Sequence, residues 1–357
     1  MKSIVNFNNE DYTKTPLFFG PDLSIQRYDQ FKYKKIFSNF KQQLSFFWRP
    51  EEVSLGGKER NEFNTLSAHE KEIFTNNLKY QILLDSVASR GLKYLQEEVS
   101  NPELEACMSM WQAFETIHSY SYTYIIKDIY TQPSEVFDTI TSDTEIVNRA
   151  TSVTKYYDDL INMLPEESDY EKKKKLYLSL VSINILEGIR FYVSFACSYA
   201  FAQNKKMEGN AKIISLINRD ENIHLAMSQL LLKTLSTEES EGFMQVAKDC
   251  EEQVYQMYMD AAQEETEWAE YLFRNGSMLG LNAEILTKYM KWLTNRRLRG
   301  IGLKHIFENA TNPINWITNW TESSAIQEAP QETEKESYLI GSFKQDIDET
   351  DFSEFDI

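Results

Sequence analysis

Cysteine is scarce in this 357-residue chain: Cys107, Cys197 and Cys250 lie far apart, with no CxxC spacing. They cannot form a thiolate zinc or iron–sulfur cluster from adjacent motifs, and they read as reduced thiols. Proline and glycine are also few, at 8 and 12 residues. Pro16, Pro21 and Pro50 punctuate the first fifty residues, but no proline falls between Pro165 and Pro313, a gap that suits consecutive long helices. No glycine-rich loop of the phosphate-cradling kind occurs. Basic charge is short as well: 37 Lys and Arg stand against 55 Asp and Glu, a formal charge of -18. That balance argues against nucleic acid or an anionic membrane as a partner. The stretch Met1 to Thr15 lacks the apolar run of a secretory signal, so a cytoplasmic location is expected.

What is present is helical periodicity. Apolar residues recur at helical spacing in Ile73, Leu78, Ile82, Leu83 and Val87, and again in Ile213, Ile214, Leu216, Ile217 and Leu225. Sustained strand alternation is missing, which points to an all-α fold. Ser67 with Glu70 forms a capping box, and Asn101-Pro102 places proline in a first helical turn. The pattern predicts helices near 67–96, 102–130, 134–163, 170–203, 209–234, 237–274 and 282–299. Leu176 to Ala202 is apolar enough to test as a membrane span, at about 40 Å of helix. Glu187 and Arg190 in its middle favour a protein core in which both have partners. The run Lys172 to Lys175 opens a helix in an acidic chain and reads as a solvated face.

Composition changes after Trp320. From Thr321 onward eleven acidic residues face Lys335 and Lys344, a net -9, half the formal charge of the whole chain. The expected division is a helical bundle over 1–320 and a flexible acidic C-terminal tail over 321–357. Phe352, Phe355 and Ile357 near its end suit docking into a partner's groove.

Two of the four histidines follow a glutamate by three positions, in Glu115-Thr-Ile-His118 and Glu221-Asn-Ile-His224. On a helix such pairs share a face, with Cβ atoms about 5–6 Å apart, and each pair can reach one ion. Asp85 and Glu187 each sit in an apolar stretch one helix earlier, so an inward acid followed by ExxH occurs twice. This places six ligands at the centre of a four-helix bundle, the arrangement of ferritin-like di-iron and di-manganese carboxylate proteins. Four buried carboxylates carry about -4, which two divalent ions neutralise. Oxygen and imidazole donors without thiolate favour iron or manganese.

These residues resemble the radical-generating small subunit of class I ribonucleotide reductase, in its bacterial and phage iron-dependent branch. The likeness runs through Leu44-Ser-Phe-Phe-Trp48-Arg-Pro-Glu-Glu52, Asn77-Leu-Lys-Tyr-Gln81 with Asp85, Glu115-Thr-Ile-His118-Ser-Tyr-Ser-Tyr122, Glu187-Gly-Ile-Arg-Phe191-Tyr-Val-Ser-Phe195 and Arg219-Asp220-Glu221-Asn-Ile-His224. It implies that Asp85, Glu115 and His118 serve one metal, and Glu187, Glu221 and His224 the other. Tyr122 would carry the radical, formed when two ferrous ions reduce O2. Helical geometry independently favours it, since Tyr122 follows His118 by four and Glu115 by seven, whereas Tyr120 and Tyr124 are rotated away. Phe191, Phe195, Ile214 and Ile217 fall at ligand-facing offsets, where they would keep water and hydrogen donors from such a radical. The resemblance further implies an electron route through Trp48 and Asp220 to Tyr338, with Glu332 near it, into a separate large subunit that reduces ribonucleoside diphosphates. Homodimerisation follows from the same likeness. Di-iron hydroxylases or desaturases and iron-storing ferritins share paired ExxH motifs, but do not require Tyr122, Trp48 or Tyr338.

Overall fold

The computed structural model describes residues 3–321, and within them it contains no extended strand, only isolated bridges such as Phe18 with Val99. The expected tail, with Glu332, Tyr338, Phe352, Phe355 and Ile357, lies outside the described residues. Two short helices come first, α1 (Lys34–Ser45) and α2 (Lys58–Thr65). They lie ahead of residue 67, where the sequence predicted no helix. Then come the long α3 (Ala68–Gln96) and α4 (Pro102–Ile129). The Ser67 side chain accepts from Glu70 N while Glu70 caps back, and Asn101 Oδ1 accepts from Glu103 N and Leu104 N. Caps of this kind each contribute about 1 kcal/mol.

The helix predicted over 134–163 is two: a single turn α5 (Ser134–Phe137) and α6 (Thr144–Ile161). Asp143 restarts the chain by accepting from Glu145 N. Next, α7 (Asp169–Ile185) runs through a π-helical turn, Leu186–Arg190, into α8 (Tyr192–Gln203), so the predicted helix over 170–203 is interrupted exactly where Glu187 sits. After α9 (Glu208–Thr237), the predicted helix 237–274 is broken into α10 (Met244–Asp249) and α11 (Glu251–Leu272). Gly242, at φ 73, adopts the left-handed conformation that ends the preceding turn. The chain closes with α12 (Ala283–Gly300) and a short α13 (Thr318–Thr321).

The core lies where α3, α4, the α7–α8 rod and α9 pack together. Among the described residues, the rod over 169–203 is the one segment long and apolar enough to cross a membrane, and its most apolar stretch is wholly buried in the bundle. It is a core helix, and its charges are partnered as expected: Arg190 donates to Glu264 Oε2 at 2.5 Å and Ser152 Oγ at 2.9 Å, and lies 3.8 Å from Glu265. Lys172 and Lys175 are engaged locally, on Pro165 O and Glu167.

A candidate dimetal centre

Four helical segments each turn an acid inward: Asp85 from α3, Glu115 from α4, Glu187 from the π turn and Glu221 from α9. Because ExxH repeats the helical register, His118 and His224 emerge on the same faces as Glu115 and Glu221. All six side chains are buried. Their donor atoms form two groups, Asp85, Glu115, His118 and Glu221, and Glu115, Glu187, Glu221 and His224, within 4.8 Å in each. Glu115 and Glu221 belong to both. His118 Nδ1 lies 3.1 Å from Glu221 Oε1, and His224 Nδ1 lies 3.1 Å from Glu115 Oε1 and 3.0 Å from Glu221 Oε2. The two halves expected from the sequence are thus interleaved, each histidine facing the other pair's carboxylate.

Electrostatics mark the cluster as unusual. Burial, then the Glu115 charge, pushes Asp85 well above the ordinary carboxylate range, and burial with Glu221 does the same to Glu187. Burial also raises Glu221 to about 7. At Glu115 burial is outweighed by the neighbouring His118 and His224 imidazoles, which hold it down to about 2. Both oxygens of Asp85, Oε2 of Glu115 and Oε2 of Glu187 are buried without a hydrogen-bond partner. Orphaned carboxylate oxygens in a sealed core are costly unless something cationic meets them. Hard oxygen donors with two imidazoles and no thiolate fit a pair of iron or manganese ions.

Tyr122 is fully buried, and its hydroxyl has no hydrogen-bond partner. Burial, then the Asp85 charge, pushes the phenol far up. Its neighbours in sequence go elsewhere: Tyr120 is exposed and bonded to Glu51, and Tyr124 donates to Val53 O. Phe191, Phe195, Ile214 and Ile217 are all buried, with the two phenylalanines stacked at 5.6 Å. Trp48 donates Nε1 to Asp220 Oδ2 at 2.7 Å, and that oxygen is 3.2 Å from His118 Nε2. Arg219 braces the other Asp220 oxygen while donating to Phe46 O. One member escaped the sequence reading: Trp111 donates to Glu115 Oε1 at 2.9 Å, and its ring stacks on His224 at 4.8 Å. Its signal was available, four residues before Glu115 on the same helical face.

Residues 26–313 match the family model described as ribonucleotide reductase, small chain. The chain belongs to the ribonucleotide reductase small-chain family. It is 47% identical over 369 residues to the ribonucleoside-diphosphate reductase subunit beta of Buchnera aphidicola, covering 98% of this chain and 97% of that protein. It is 46% identical over 366 residues to ribonucleoside-diphosphate reductase 1 subunit beta of Escherichia coli O157:H7, with 97% of each covered. A solved ribonucleotide reductase R2 subunit from Clostridium botulinum superposes with a TM-score of 0.82 at 28% identity, over 90% of this chain and 98% of that one. The ferritin-like bundle expected from the sequence is the fold of this small chain. Its activity is that of a ribonucleoside-diphosphate reductase beta component, an oxidoreductase that works with a large subunit to make deoxyribonucleotides.

Proposed function

We propose that this small chain holds two iron ions, with manganese as the alternative, and stores a radical on Tyr122 for use by the large subunit. The observation that carries the reading is the pair of four-residue groups sharing Glu115 and Glu221. Asp85, Glu115, His118 and Glu221 would hold one ion, and Glu115, Glu187, Glu221 and His224 the other. When bound, the iron pair would supply the chemistry of O2 reduction, and Tyr122 would be the residue that gives up one of the electrons it requires.

The remaining work falls to the chain. Asp220 orients His118 through Nε2 and leaves Nδ1 facing the carboxylates. The hydroxyl of Tyr122 has Asp85 as its nearby carboxylate, the natural place for its proton to go. Burial of the phenol among apolar residues keeps water and hydrogen donors from it. Trp48, hydrogen-bonded to Asp220, begins the outward route, and Tyr338 in the segment 321–357 continues it. We further assign residues 1–320 to the radical domain and 321–357 to a tail whose Phe352, Phe355 and Ile357 dock to the large subunit. A homodimer is part of the same reading, on the strength of the family likeness. The wholly buried apolar rod fits a soluble protein, and we place it in the cytoplasm. Hydroxylase and ferritin readings lose their ground to the family match.

The test is direct. Metal-free protein given Fe(II) and O2 should develop a tyrosyl electron-paramagnetic signal, and Tyr122→Phe should abolish it while still binding iron. The same signal persisting in Tyr122→Phe would refute the assignment.

A further inference from the structure

The π turn Leu186–Arg190 does more than aim Glu187. Gly188 O, in the middle of it, accepts from Arg297 Nε of α12 at 3.0 Å. Arg297 is buried, an unusual place for a guanidinium, and it reaches this carbonyl because position 188 is glycine. A Cβ there would lie 3.2 Å from both Cγ and Cδ of Arg297 and 2.9 Å from Leu225 Cδ1. The guanidinium also sits over the Tyr192 ring, 5.0 Å from its centroid. Tyr192 in turn donates its hydroxyl to Asn222 Oδ1 at 2.9 Å, and Asn222 Nδ2 donates to Thr321 O at 2.8 Å. Asn222 is buried and follows the metal-facing Glu221 directly on α9. Thr321 is the last described residue, at the root of the acidic C-terminal segment.

Three hydrogen bonds and one guanidinium–ring contact therefore link the segment that carries Glu187 to the point where the C-terminal segment begins. We propose that Arg297, Tyr192 and Asn222 are positioning residues that couple the π turn to the root of the C-terminal segment, so that metal loading raises the affinity for the large subunit. The inference rests on the proposed metal centre and tail docking. Its physical basis is the π turn itself. Such turns occur where a helix carries one residue too many, and their carbonyls find partners outside the helix. Engaging Glu187 with a cation fixes that turn, and with it Gly188 O and Arg297. Tyr192 and Asn222 then hold Thr321 O in one place, so less motion remains to be lost when the tail docks.

The experiment uses the full chain, metal-free and metal-loaded, and measures its Kd for the large subunit together with bound iron and thermal melting. Wild type should bind more tightly when loaded, by a factor on the order of five, at the small end of ordinary coupling. Asn222→Ala and Tyr192→Phe cut the relay at two points without touching a metal-facing group. Each should retain iron and the loaded melting temperature while bringing the ratio of the two Kd values close to one. A ratio that survives both substitutions, or a wild-type ratio of one with iron bound and the large subunit captured, overturns the coupling alone. Failure of wild type to bind iron or the large subunit would instead overturn the functional reading beneath it.

Discussion

Trp48 and Asp220 are joined by a 2.7 Å hydrogen bond across 172 residues of sequence, and the accepting oxygen also faces His118. One carboxylate thus touches both an indole and a metal-facing imidazole. Asp220→Asn should lower metal affinity or activity by about 10–100-fold, the usual effect of losing the group that orients a ligating histidine. Trp48→Phe should keep iron and the Tyr122 signal but lose turnover with the large subunit. A deoxynucleotide assay paired with iron analysis checks both, and unchanged turnover in Trp48→Phe would remove it from the route.

The metal-free protein should lose stability as pH rises from 5 to 8. Asp85 and Glu187 are raised well above their ordinary range, Glu221, Glu103 and Glu265 to about 7, all chiefly by burial. Each binds a proton more tightly folded than unfolded, so stability present at low pH disappears as the folded form is forced to release it. His118, raised by its carboxylate neighbours against burial, acts in the same direction. Glu115, held to about 2, opposes only near and below its unfolded value. Each group titrating between its two values costs about 1.4 kcal/mol per pH unit. Melting curves of metal-free and loaded protein should show the slope in the first and its flattening in the second.

Arg190→Met should destabilise by about 3–5 kcal/mol, because it leaves Glu265 buried beside no cation from that side. Glu264→Gln should cost far less, since Glu264 keeps about a quarter of its surface in water. Denaturant titration of the two variants gives the comparison, and equal losses would contradict it.

Deleting residues 350–357 should abolish capture of the large subunit while leaving iron content unchanged. Phe352, Phe355 and Ile357 are the apolar anchors of an otherwise acidic segment. A pull-down with the purified large subunit reads the result, and undiminished capture would rule out this end as the docking element.

The six cluster residues were legible because a three-residue spacing and an acid inside an apolar run are local patterns with a geometric meaning. That Glu115 and Glu221 each serve both groups was not, since it depends on how four helices cross. Trp111 escaped for a related reason: an indole four residues from Glu115 announces a shared face, but not a hydrogen bond. The π turn was hidden because a helix apolar on every side gives no stripe from which to read a change of pitch. Helix α1 was missed where early prolines break up the chain, and it buries Asn39 and Gln43 where an apolar pattern would look for hydrocarbon; α2 is short and buries only Glu59 and Phe63. Breaks at 138–143 and around Gly242 came from single-residue capping and a left-handed backbone, which a periodicity average smooths over.

Hydropathy in the 169–203 rod, sufficient in length for a bilayer, here serves as insulation. On the proposed reading, an oxidised centre lying against it through Glu187 would be shielded by hydrocarbon on that flank, with the bonded chain at Trp48 as another way in. Loosening of this rod would then shorten the lifetime of the proposed oxidant, which makes breathing of the bundle one clock for its decay.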